Sequence, residues 1–393
     1  MPTSPSSSER AIQALPDPTP HPAIITSGVA HVVFAYDIGL SINLDLAQRN
    51  LAESSRENVL RHTHRAPQYF QYRPAPVRIE RPAAVVALGR FATGAAVACT
   101  LYDFGAISIC YDIPLDGPFE DMLPLSEALY DNPELLADSR RHAEALLNDI
   151  RPAVGKALLA DLVEDYVVYH VASLRGAGDG SEDASPPGPE SFVKEHRAMI
   201  AKVLRSDRNA SSRGEMRDAM SSRIAYSESD YCVIDWNAAL LLGPEEAAND
   251  VRAVLEFANV ELLEMRYLDD RLDAALDASY EAMGGNGWVR AILPFGDRVN
   301  LAKISRMQVD HALLFEGVNN SLKLLGDQYL ARVYRKTADR LHLPDWDASV
   351  LRKLETVETI YEKIHDRQST RRMEVLEWII ILLFVADLVI ALS

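Results

Sequence analysis

Val375-Leu376-Glu377-Trp378-Ile379-Ile380-Ile381-Leu382-Leu383-Phe384-Val385-Ala386-Asp387-Leu388-Val389-Ile390-Ala391-Leu392 is the stretch on which the reading of the fold turns. As a helix it reaches roughly 27 Å at about 1.5 Å per residue, just enough for the hydrocarbon core of a bilayer. Its strongly apolar residues contribute about −0.3 to −0.6 kcal/mol each, against about +2.5 to +3.5 kcal/mol for Asp387 at a helix centre. The balance predicts a single C-terminal transmembrane anchor over 373–393. Arg371 and Arg372 flank it on the amino-terminal side, Trp378 suits the interface, and Phe384 lies inside the apolar run. The positive-inside rule then keeps the bulk of the chain cytoplasmic, at a bacterial inner membrane if the source is prokaryotic. Asp387 is the residue to watch, because a carboxylate in an apolar span seeks a partner such as its copy in a neighbouring chain. The plainer alternative is a buried core helix or a partner-binding helix.

Working back from the tail, Leu354, Val357, Tyr361 and Ile364 keep a three-four spacing that leads into the apolar run. Pro344-Asp345-Trp346-Asp347 marks a helix start before them. Further upstream, Gly243-Pro244-Glu245-Glu246 opens a long helix that Gly284-Gly285 stops. Leu255, Ala258, Leu262, Met265, Leu272 and Leu276 give it coiled-coil spacing. A second helix is expected from about Asp297 to Leu341, with Gln308 and His311 on its apolar stripe as a buried polar layer that sets register. Residues 244–372 therefore read as antiparallel, coiled-coil-like helices, and the continuous stripe favours self-association. Carboxylate-bridged metal sites in bundles need paired Glu-x-x-His elements, and only Glu362-x-x-His365 is present. Glu261, Glu264, Asp269, Asp270 and Asp273 are read as ion-pair partners of Arg332, Arg335 and Arg352.

The amino-terminal part is different in kind. Residues 1–23 are rich in Ser and Pro, with no apolar leader, and read as a disordered tail. Residues 24–243 mix strand and helix patterns without a regular βαβ repeat, which predicts an α+β domain. Ala30 to Ile38 reads as a strand and Asn43 to Ala52 as a helix with Asn43 as cap. Asp103-Phe104-Gly105 is a hairpin turn, followed by Ile107, Ile109 and Tyr111 alternating with small residues. A helix is expected from Glu134 to Leu159, interrupted at Pro152, then a strand from Leu162 to Val171. Residues 176–190, full of Gly, Ser and Pro, form a flexible insert.

Composition narrows function. A net charge of −17 excludes a general nucleic-acid binder, so any such contact needs a local patch. One exists between Arg61 and Arg81, where arginines alternate with His62, His64, Tyr69, Phe70 and Tyr72. Arg61, Arg65 and Arg73 could grip phosphates while Tyr69 stacks on an unpaired base. The plainer reading gives these arginines to the domain's own acids. His62 and His64 could chelate, but without nearby Cys or Asp in sequence no metal site is assigned, and no cofactor is expected. Cys99, Cys110 and Cys232 make no CxxC pair and suggest a reducing compartment. No GxSxG, HExxH or P-loop is present.

Three blocks carry a resemblance: VLEFANVELLEMRYLDDRLDAALDASY (254–280), LKLLGDQYLARVYR (322–335) and RRMEVLEWIIILLF (371–384). Together with the hairpin YDFGAISICYDI (102–113), they resemble the required-for-meiotic-nuclear-division family, which includes the Sad1-interacting-factor type. The resemblance implies an α+β domain, long helices, a membrane segment and a link to membrane-associated translation, with no catalytic residues to carry over. The expected function is then a tail-anchored, homo-oligomeric membrane scaffold, not an enzyme, with the bilayer, a second copy and a protein or RNA as partners. The alternatives are a membrane-held RNA- or nucleotide-binding module using 61–81, and a hydrolase or metal enzyme.

Overall fold

The computed structural model describes residues 21–54, 64–65, 75–176, 188–209, 212–284 and 328–360, together with 377, 380 and 381. The strands are β1 (Ala23–Asp37), β2 (Ser41–Ile42), β3 (His64–Arg65), β4 (Val77–Pro82), β5 (Ala87–Leu88), β6 (Phe91–Ala92), β7 (Ala96–Leu101), β8 (Ala106–Pro118), β9 (Val154–Gly155), β10 (Val163–Gly176), β11 (Ser222–Ile224), β12 (Tyr231–Ile234) and β13 (Ala238–Leu242). The helices are α1 (Leu44–Ser54), α2 (Met122–Leu129), α3 (Pro133–Ile150), α4 (Pro189–Glu195), α5 (Arg197–Arg205), α6 (Arg213–Ala219), α7 (Glu245–Gly284), α8 (Gln328–Arg340) and α9 (343–360). The fold is α+β, as expected. Nine strands form one mixed sheet in the order β11-β12-β13-β10-β1-β8-β7-β4-β3. Its pairs are antiparallel except β10 with β13.

Strand periodicity divides β1 between two cores. Val32, Phe34 and Tyr36 point to the face covered by α1 to α5. His31, Val33 and Ala35 point to the other face, where α7 lies across β10, β1 and β8. With both faces covered, β1 reads as a nearly unbroken apolar run. The hairpin turn falls at the expected Asp103-Phe104-Gly105, closed by Tyr102 N donating to Ala106 O at 3.0 Å. Gly105 has φ +110°, and a Cβ there would come within 1.9 Å of Gly39 O, so no other residue fits. Asn43 caps α1 through Leu46 N at 3.0 Å. The helix expected to reach Leu159 instead ends at Ile150, ahead of Pro152, and the chain turns into β9.

α7 spans the 40 residues Glu245–Gly284 and starts where Gly243-Pro244 predicts; the residues that follow Gly284 lie outside the described ones. Its first half buries Leu255 and Ala258 in a core shared with α8. Its second half buries Leu268, Leu272 and Ala275 against Val350, Leu354 and Val357 of α9. Of the acids expected to pair with Arg332, Arg335 and Arg352, Asp269 and Asp273 meet Lys353, at 2.8 Å and 2.6 Å, and Glu261 accepts from the Tyr334 hydroxyl at 2.6 Å. Gln308 and His311 lie outside the described residues, as do residues 1–20 and 177–187 of the expected tail and insert.

The membrane expectation is corrected here. Among the described residues, no helix is long and apolar enough to cross a membrane. α7 has the length but carries charge along it, with Arg252, Glu256, Glu261 and Glu264 inside one stretch. Within the terminal stretch only Glu377, Ile380 and Ile381 are described, helical and exposed, and Glu377 puts a charge in that run. Arg371, Arg372, Trp378, Phe384 and Asp387 lie outside the described residues.

Candidate functional site

The register of the sheet gathers polar residues on the α7 side. In β1 and β8 the facing pairs are His31 with Asp112, Val33 with Cys110 and Ala35 with Ser108. Ser108 in turn faces Thr100, Thr100 faces Arg78, and Arg78 faces His64. Ser108, Thr100 and Arg78 share one face with His31, Cys110 and Asp112, because antiparallel partners point the same way. α7 adds Arg252 and Glu256, one turn apart, from above.

Two connected groups result. Around Glu256, Arg252 Nη1 donates to Oε2 at 3.0 Å, Thr100 Oγ1 donates to Oε1 at 2.9 Å, and Ser108 Oγ donates to the same oxygen. Burial works to raise the Glu256 carboxyl, but Arg252, Arg78 and the two hydroxyls outweigh it and hold it below its ordinary range. In the second group, His31 Nδ1 meets Asp112 Oδ1 at 2.6 Å and the Cys110 thiol reaches the same oxygen at 3.7 Å. Partial burial would raise Asp112; its bond to His31 and the charges of Arg252 and Arg78 bring it below its ordinary range. The Cys110 thiol is pushed well up, by burial first and then by Asp112. His31 and Cys110 are nearly closed off, whereas the Asp112 side chain is 52% exposed and forms the opening to solvent.

His31, Cys110 and Asp112 offer nitrogen, sulfur and oxygen within 4.8 Å of one another. In a tetrahedral zinc site, bonds of about 2.0–2.3 Å separate ligand atoms by about 3.3–3.7 Å. The sulfur–oxygen separation already fits, and the His31–Asp112 contact fits if the half-exposed carboxylate turns outward. Three protein ligands leave a fourth position open, which is the pattern of reactive rather than structural metal sites.

A second charged cluster sits toward the β11 edge of the sheet. Asp235, fully buried in the turn between β12 and β13, accepts from Arg205 Nε at 2.9 Å and Arg340 Nε at 2.8 Å. It also accepts the backbone N–H of Trp236 at 2.8 Å. Asp218 and Glu215 of α6 close the outer side of the two guanidiniums. This cluster clamps α5, α6 and α8 to the sheet.

The residues expected to bind anions are spread out. His64 and Arg65 form the short edge strand β3, while Arg61, His62, Tyr69 and Arg73 lie outside the described residues. From the same basic segment, Arg78 faces the Glu256 group and Arg81 pairs with Asp149 at 2.9 Å. The candidate donors His31, Cys110 and Asp112 are not conspicuous in sequence. Their signal is Ser108, Cys110 and Asp112 at alternate positions of one strand, the small or polar set opposite Ile107, Ile109 and Tyr111.

The fold and this cluster define an α+β protein with a two-faced nine-stranded sheet and a mixed His/Cys/Asp donor set under a long helix. The chain belongs to the family described as uncharacterized protein MJ0711, N-terminal domain, whose match covers residues 27–248. It is similar to the uncharacterized protein MJ0711 of Methanocaldococcus jannaschii, 24% identical over 213 residues, which is 52% of this chain and 62% of that protein. The chain thus matches less than two thirds of that relative's length. No solved structure matches. The match overturns the resemblance to the meiotic-nuclear-division family. The three helical blocks behind that resemblance all lie beyond residue 248, in charged amphipathic sequence of a kind that unrelated long helices share. His31, Arg78, Thr100, Ser108, Cys110 and Asp112 lie inside the match, and Arg252 and Glu256 follow it.

Proposed function

We propose that the protein is a metal-binding protein of enzymatic type, holding a borderline divalent ion such as zinc through His31 Nδ1, the Cys110 thiolate and Asp112. The observation that carries this reading is the convergence of the three donor atoms within 4.8 Å on one face of the sheet. Imidazole, thiolate and carboxylate together suit zinc or its cobalt surrogate better than magnesium or calcium, which favour all-oxygen sites. The raised thiol is the metal-free condition of such a ligand; a bound cation would displace its proton. Cobalt(II) titration of the full chain tests the reading. A thiolate-to-cobalt charge-transfer band should grow to one equivalent and vanish in Cys110→Ser, with Cys99 and Cys232 intact. Cobalt uptake with no such band, or a band that survives Cys110→Ser, sinks it.

Self-association is a second reading, favoured by the α7–α9 arm. Leu351 on α9 is 44% exposed beside the Leu354 and Val357 stripe, so that helix pair keeps apolar surface for another copy. Light scattering over a wide concentration range tests it, and a monomer throughout removes it. The RNA-binding reading gains no support from Arg81, which pairs with Asp149.

A further inference from the structure

Arg252 is only 6% exposed, and Glu256 takes one of its terminal nitrogens at 3.0 Å. Among the described residues, its buried Nε–H has no hydrogen-bond partner. A buried donor without an acceptor is costly and uncommon in a folded chain. Arg78 stands on the same face, in the row His64, Arg78, Thr100, Ser108, and its charge reaches both Cys110 and Asp112. Two guanidiniums thus border the three donors, and Asp112 opens the place to solvent.

Formal charge gives the sign of the missing ligand. In formal charge the two guanidiniums of Arg78 and Arg252 face the two carboxylates of Asp112 and Glu256. A divalent ion that displaces the thiol proton leaves one positive charge in a poorly hydrated place. A neutral ligand would leave that charge unanswered, and a cationic one would add to it. A carboxylate supplies two oxygens; a tetrahedral oxyanion supplies enough for the metal's open position and both guanidiniums at once. We infer that Arg252 and Arg78 form the anion-binding wall of the His31–Cys110–Asp112 site, and that its ligand carries a phosphate-type group. This inference rests on the metal reading for its charge count, while the unmet Arg252 donor stands apart from it.

Calorimetric titration of the cobalt-loaded full chain with inorganic phosphate, and separately with acetate, tests the wall. Phosphate should bind at least tenfold tighter than acetate. Arg252→Met alone would strand Glu256, so the informative variant is Arg252→Met with Glu256→Met, which removes both buried charges together. It should keep the cobalt–thiolate band and lose at least tenfold in phosphate affinity. Arg78→Gln, outside that pair, should lose phosphate affinity in the same direction and serves if the double variant does not fold. Equal binding of phosphate and acetate, or unchanged phosphate affinity in the folded variants, overturns the inference. If the wild-type chain shows no cobalt–thiolate band, the metal reading has failed by itself. The same phosphate titration on metal-free chain then decides the wall: a tenfold loss on removing Arg252 supports it, and no loss removes it.

Discussion

The two charged clusters, one on the central strands of the sheet and one toward its β11 edge, make a useful pair. Asp235 has an acceptor role for every neighbour: Arg340 and Trp236 N on one oxygen, Arg205 on the other. Nothing in that cluster asks for a further ligand, and its work is to fasten helices. The His31–Asp112 and Arg252–Glu256 groups have comparable charge but leave a thiol, an unmet guanidinium N–H and a half-exposed carboxylate. Saturation, more than the number of charges, separates a fastening from a site.

Breaking the saturated cluster should give the largest effect. Asp235→Ala leaves two guanidiniums facing a buried gap and is expected to cost about 3–5 kcal/mol in urea unfolding. Cobalt binding at neutral pH should survive wherever the variant is folded. If instead the loss stays under about 1 kcal/mol, the clamp assigned to Asp235 is wrong.

The next effect is pH-dependent. Glu261 lies buried on α7, where burial raises its carboxyl to about 7 despite the hydrogen bond from Tyr334 at 2.6 Å. The folded chain therefore keeps a proton that the unfolded chain releases. That contribution is complete below about pH 4.5 and fades as pH rises through about 7. It amounts to about 3 kcal/mol. Glu164, also raised to about 7 by burial, adds a slope of the same sign. Glu261→Gln should flatten the fall in stability between about pH 5 and about pH 8, leaving the part due to Glu164. An unchanged slope would mean that Glu261 is ionised in the folded chain.

On the unsaturated side, Cys110→Ser should weaken cobalt binding by about 100-fold, equivalent to about 2.7 kcal/mol, with a smaller change in fold stability. A variant that loses stability without losing metal affinity would turn Cys110 back into an ordinary core residue. The smallest effect belongs to Lys353→Met. Its pairs with Asp269 and Asp273 are partly exposed, so the expected loss is at most about 1 kcal/mol and should shrink further in salt.

Much of the frame was legible in the sequence. The glycine turn at Gly105, the Asn43 cap and the start of α7 follow from local backbone chemistry, and each is found in place. The candidate site was not legible, because its parts come together only through register. His31 and Asp112 are distant in sequence and become neighbours by one antiparallel pairing. In β8 the pattern Ile107, Ile109, Tyr111 drew the eye to the apolar side, and the interleaved Ser108, Cys110 and Asp112 passed as mere spacing. The basic segment misled in the opposite sense: its charge is plain in sequence, yet Arg81 is spent on Asp149 and Arg78 is turned to the face that carries Glu256. Amphipathic helices gave the third lesson, since stripes of leucine and charge report a helix and say little about ancestry.

The position of β1 has a consequence for how the chain is made. The strand is made before both of its neighbours in the sheet, β8 and β10. At about 5–20 residues per second, β10 follows β1 by roughly 140 residues, or about 7–28 s on the ribosome. Throughout that wait a strand with apolar side chains on both faces has an unpaired edge, which invites pairing with another nascent chain. Expression should therefore depend strongly on temperature and on holdase chaperones, and slower synthesis should aggravate the loss.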